Sequence, residues 1–167
     1  MTMTPDEIKR TELDRMRYTK NTLSSRMALL AIVFNVLYFV SVYESDVGSW
    51  YYKILIGASI VYNLLFMLMV FLASEGVKNY KISYSYLLLA VGIGQIARIF
   101  ILPLQAYRAT ITISKVDYPV MQGGQFIWVV ACLILSAACC LIGGVAGVKR
   151  SRTLKAYTAS LETKKAA

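Results

Sequence analysis

The stretch YLLLAVGIGQIARIFILPL, residues 86–104, is apolar over a length that crosses a bilayer, yet it carries Gln95 and Arg98 near its middle. The two polar residues lie about one helical turn apart and so share a face. A guanidinium at that depth costs several kcal/mol unless it reaches water, a carboxylate or carbonyl oxygens. Three further apolar blocks are available, at 27–43, 54–73 and 126–148. At 1.5 Å per residue the shortest covers roughly 25 Å and the longest roughly 35 Å, bracketing a hydrocarbon core about 30 Å thick.

The whole composition agrees. Of 167 residues 57% are hydrophobic and 16% charged, with a mean hydropathy of +0.57. That excludes a water-soluble domain, which carries more charge, and a disordered chain, which carries less apolar mass. The fold class expected is all-α: an integral membrane four-helix bundle over 27–148, led by a short amphipathic helix within residues 1–26 and followed by a basic tail at 149–167.

Basic residues set the direction of the spans. Lys9, Arg10, Arg15, Arg17, Lys20 and Arg26 precede the first block, Lys78 and Lys81 occupy the second loop, and Lys149, Arg150, Arg152, Lys155, Lys164 and Lys165 follow the last. The first and third loops hold only Lys53, Arg108 and Lys115. The positive-inside rule therefore predicts a multi-pass protein of the cell membrane with both termini cytoplasmic. Trp50 and Trp128, with Tyr43, Tyr51, Tyr52 and Tyr118, mark the outer boundary, and Tyr80 and Tyr84 the inner one. The net charge of +9 reads as topology and as attraction to anionic inner-leaflet lipids. No compact basic domain accompanies it, so nucleic acid is not an expected partner. The first block lies behind a polar segment with no small-residue cleavage site and reads as a retained anchor.

Outside the spans, Thr4, Pro5 and Glu7 form a capping box that predicts a helix running toward Tyr18, laced by Asp6 with Arg10, Glu12 with Arg15 and Asp14 with Arg17. In the long loop 105–125, threonine or serine alternates with isoleucine over 109–116, which predicts an extended cap across the mouth of the bundle. Asp117, Tyr118 and Pro119, then Gly123 and Gly124, predict turns.

The candidate site is a layer. Asn35, Asn63, Gln95 and Ser136 fall at the midpoints of the four spans, and an amide facing lipid would leave its donors and acceptors unpaired, so all four are expected to turn inward. Arg98 joins them and is expected to stretch toward Glu44, Asp46 or Asp117, with Gln105 continuing its stripe. The strings IVFNVLY at 32–38 and IVYNLLF at 60–66 are alike at an offset of 28, through duplication or biased composition. In the fourth span Cys132, Ser136, Cys140 and Gly144 form one small-residue ridge and Cys139, Gly143 and Gly147 a second. One ridge serves a neighbour within the bundle; the surplus points either to more of the same or to a homo-oligomer or another membrane subunit.

Chemistry is sparse. There is no histidine and no carboxylate within any span, the cysteines lack a C-x-x-C spacing, and no Walker loop, nucleophile elbow or paired acids occur. No catalytic residue, metal or cofactor is expected. The leading expectation is a non-enzymatic interaction or accessory subunit of a membrane complex. The alternative is a small-solute or anion transport or channel subunit built around Arg98, and an enzyme using the thiol of Cys139 or Cys140 comes last.

Overall fold

A computed structural model of the chain describes residues 4–43, 53–108, 110–113 and 116–166. Helix α1 spans Pro5–Tyr18, α2 Thr22–Tyr43, α3 Lys53–Lys78, α4 Ile82–Ile101, α5 Pro103–Arg108 and α6 Gly123–Ala166, with strands β1 Thr110–Ile113 and β2 Val116–Pro119 between α5 and α6. The fold is all-helical apart from that hairpin, and α2, α3, α4 and α6 each hold a segment long and apolar enough to cross a membrane. Helix α6 lies against α2 and α4, and α3 lies against the same two. Large apolar side chains face outward along all four, among them Leu64, Ile93, Ile127 and Val145.

Helix α1 starts where the capping box predicts: the Thr4 amide donates to the Glu7 carboxylate at 2.8 Å, and that bond holds the Glu7 carboxyl below its usual range. Of the three expected surface ion pairs only Asp14 with Arg17 forms among the described residues, at 3.9 Å. Asp14 also accepts from the Tyr157 hydroxyl at 2.7 Å, which ties α1 to the far part of α6 and raises the phenol above its ordinary range. The tail is thus no separate segment: α6 runs on through it, 44 residues in one helix, about 66 Å and roughly twice a hydrocarbon core. Both ends of the described chain therefore lie at one end of the bundle.

That terminal end is closed by polar contacts. Asn21, fully buried, receives Arg150 on its Oδ1 at 2.9 Å, donates its Nδ2 to Ser24 Oγ at 3.0 Å, and donates its main-chain N–H to the Lys78 carbonyl at 3.0 Å. The Ser25 and Ser74 hydroxyls meet at 2.8 Å beside it. Helix α3 ends here in a Schellman motif: Lys81 N–H reaches the Gly76 carbonyl and Tyr80 N–H the Val77 carbonyl, each at 3.1 Å. Tyr80 takes the left-handed position, φ 56°, usually given to glycine.

At the opposite end Pro103, which has no N–H to donate, breaks α4, and the chain turns into α5 and the hairpin. The strands pair antiparallel with Thr110 opposite Pro119 and Ile113 opposite Val116. The alternating stretch does form strand. Asp117, Tyr118 and Pro119, however, belong to the second strand rather than to a turn, because they pair with residues 110–112, and Gly123 and Gly124 open α6. The cap also differs from expectation: β2 is exposed, and the mouth is filled instead by Ala106, Val120 and Met121, packed with Tyr38, Val42, Val129, Cys132 and Leu133. A second apolar cluster, with Ala28, Phe66, Val70, Leu88 and Cys140, lies toward the terminal end.

Candidate functional site

Between those two clusters the four mid-helix polar residues meet. Asn35, Asn63, Gln95 and Ser136 are at most 1% exposed, and Arg98 is 3% exposed. The Arg98 Nη1 donates to Asn63 Oδ1 at 2.7 Å and to Asn35 Oδ1 at 3.4 Å. Gln95 Nε2 donates to Asn35 Oδ1 at 2.9 Å and, more weakly, to Ser136 Oγ at 3.5 Å. Ser136 passes its own proton to the Ala31 carbonyl at 2.9 Å. Asn35 Nδ2 donates to Asn63 Oδ1 at 3.3 Å, and Asn63 Nδ2 to the Ser59 carbonyl at 3.1 Å. Each helix therefore contributes at least one group, and the bonds run across five helix pairs, α2–α3, α2–α4, α3–α4, α4–α6 and α2–α6.

The guanidinium has a second kind of partner. Its Cζ lies 4.3 Å from the ring centroid of Tyr38 and 4.7 Å from that of Tyr62. Two aromatic faces carry negative quadrupole toward the cation, a contact worth about 2 kcal/mol or more where water is excluded. Tyr38 also belongs to the apolar plug at the hairpin end, so the ring that steadies the charge helps to close the mouth above it. Glycines in α4 make room: a Cβ on Gly94 would lie 3.4 Å from the Tyr62 hydroxyl, and one on Gly92 would lie 3.1 Å from Cys140 of α6.

The structure brings Asn35, Asn63, Gln95, Arg98 and Ser136 into one constellation. It does not bring Gln105 there; the break at Pro103 swings that residue onto the exposed side of α5. Of the carboxylates suggested for Arg98, Glu44 and Asp46 lie outside the described residues and Asp117 sits on the exposed second strand. Tyr38 and Tyr62 escaped the sequence reading, although each stands within three residues of a layer asparagine. Their positions do not follow the internal similarity: at the offset of 28, Tyr38 corresponds to Phe66 and Tyr62 to Phe34. Gln95 Oε1 is buried and has no hydrogen-bond partner among the described residues.

Both small-residue ridges of α6 are taken up inside the chain. A Cβ on Gly143 would lie 3.2 Å from Leu88, Met27 and the Ser24 carbonyl. On Gly144 it would come 2.7 Å from Leu89, and on Gly147 3.1 Å from Val77 while pressing on the Ser85 side chain. Cys132, Ser136, Cys139 and Cys140 are buried against α2 and α4 as well. The small-residue face of α6 thus meets α2, α4 and, at Gly147, Val77 of α3. Trp128, by contrast, is half exposed and bonds Ser41 Oγ at 3.0 Å, as a boundary residue does. The other expected tryptophan, Trp50, lies outside the described residues.

Fold and layer together define a class: an all-helical chain with four membrane-length helices around an arginine-centred amide cluster. No family model matches the chain, and no curated protein or solved structure matches it either.

Proposed function

We propose that this is a non-enzymatic multi-pass membrane protein, both termini cytoplasmic, that serves as an interaction or accessory subunit of a membrane complex. The observation that carries the reading is the enclosure of the charge: Arg98 is buried against Asn35, Asn63, Tyr38 and Tyr62 between two apolar clusters. An arginine so held sets helix register and depth in place of serving a solute. The surface left for partners is the lipid-facing apolar wall and the projecting pair of α1 and the end of α6, joined through Asp14 and Tyr157. The basic residues clustered at this end support its cytoplasmic placement.

Native mass spectrometry of the chain extracted from its own membrane in mild detergent tests the role. A second polypeptide, or a second copy, at fixed stoichiometry is expected. A lone monomer that conducts anions in liposomes, with the flux abolished by Arg98→Leu, contradicts it and supports the pathway alternative. That alternative draws on one observation, the unpartnered Gln95 oxygen beside the guanidinium.

A further inference from the structure

The geometry points to a binding site for the phosphate headgroup of an anionic phospholipid in the recess between α4 and α6 at the terminal end of the bundle. The recess has a volume of about 410 Å³, within the range of small-ligand sites. Its walls divide by chemistry. Leu89, Val145 and Val148 line the part nearer the bundle centre, and Lys149 and Arg152 stand at the part nearer the termini, with Tyr86 opposite. This is the order in which an acyl chain and a headgroup follow each other across an interface.

The two cations have no competing anion. Arg152 Nη2 donates to the Tyr86 hydroxyl at 2.6 Å, a neutral partner that aims the guanidinium across the recess and leaves its charge unbalanced. Lys149 is three residues earlier and shares that face of α6. Ion pairs among the described residues are Asp14 with Arg17 and Glu75 with Lys78, and neither involves this site. No carboxylate lines the recess. Thr153 gives its proton to the Lys149 carbonyl at 2.9 Å, so recognition falls to the ammonium and the guanidinium, the latter able to grip two phosphate oxygens. Gly144 contributes from below, since its bare backbone lets Leu89 of the recess wall settle against α6. The occupant is a lipid because Tyr86 and Val145 are half exposed on the apolar side, where hydrocarbon is the solvent.

The inference rests on the four membrane-spanning helices and is independent of any partner subunit. It is tested on the full chain in nanodiscs of equimolar phosphatidylcholine and phosphatidylglycerol, with the lipids retained by the protein counted by native mass spectrometry. Preferential retention of one phosphatidylglycerol is expected. Arg152→Gln or Lys149→Gln should each weaken it about five-fold and the pair about thirty-fold, while Arg152→Lys, which keeps the charge, retains most of it and reports that the helix still folds. Lys155→Gln removes a charge outside the recess and should leave retention unchanged. Equal retention of phosphatidylcholine, a loss with Lys155→Gln matching that with Arg152→Gln, or displacement of the lipid by inorganic phosphate at equal concentration would each overturn the site.

Discussion

Arg98 and Arg152 each touch tyrosine, but one charge is enclosed and the other presented. Arg98 meets two ring faces and two amide oxygens and is 3% exposed. Arg152 meets one hydroxyl at its edge and opens onto a recess. The difference follows from depth. Midway along the helices there is no water to complete a guanidinium, so the neighbouring helices must supply every partner, and doing so fixes their mutual register. At the terminal end the surroundings can answer the charge, and one hydrogen bond to orient it is enough.

The sharpest way to break this contrast is to remove a partner on the enclosed side. Asn63→Leu takes away the 2.7 Å acceptor and leaves the cation under-solvated, at an expected cost of about 3 kcal/mol in reversible unfolding from bilayer mimics. Arg98→Leu removes the charge itself and should cost less, since an apolar replacement of a buried ion is often near neutral. The reverse order would mean that the layer attracts Arg98 more strongly than it needs to solvate it. Next in size is the face that seats two helices: Gly147→Leu should destabilise by about 1–3 kcal/mol through overpacking against Ser85 and Val77. If instead the fold is kept and only a partner is lost in co-purification, the ridge is an external surface after all.

Smaller effects sharpen the account of the terminal end. Tyr80→Gly relieves a left-handed tyrosine and is expected to stabilise by about 1 kcal/mol in thermal melts, provided the ring contributes no anchoring at the interface. The contact between α1 and α6 should weaken in alkali. The Tyr157 phenol is raised in the folded state by its bond to Asp14, so the stabilisation is complete below the unfolded value near pH 10 and is lost as the pH climbs through the higher folded value. A fall in the α1 protection factor, measured relative to the intrinsic exchange rate, as the pH climbs above 10, and absent in Tyr157→Phe, is the expected signature.

Much of this was readable in the residues. Four apolar blocks and one polar group at each midpoint were enough to place the layer, because a hydrocarbon solvent makes inward burial of an amide nearly compulsory. The capping box placed α1 for a similarly local reason. What resisted reading was which groups would meet across helices. Tyr38 and Tyr62 look like ordinary lipid-facing aromatics until the rotation of α2 and α3 is known. Asn21 lies outside any span, and nothing near it in sequence announces Arg150 or Lys78 as partners. The fate of the second small-residue ridge likewise depended on α6 lying against two helices at once, a matter of arrangement that a periodicity cannot express.

A double-mutant cycle between Asn63 and Arg98, followed by reversible unfolding in a bilayer mimic, tests the enclosed cluster most directly. A coupling of about 1–2 kcal/mol is expected if the two side chains hold each other between the helices. Strict additivity, with each substitution acting as though the other residue were absent, would contradict it.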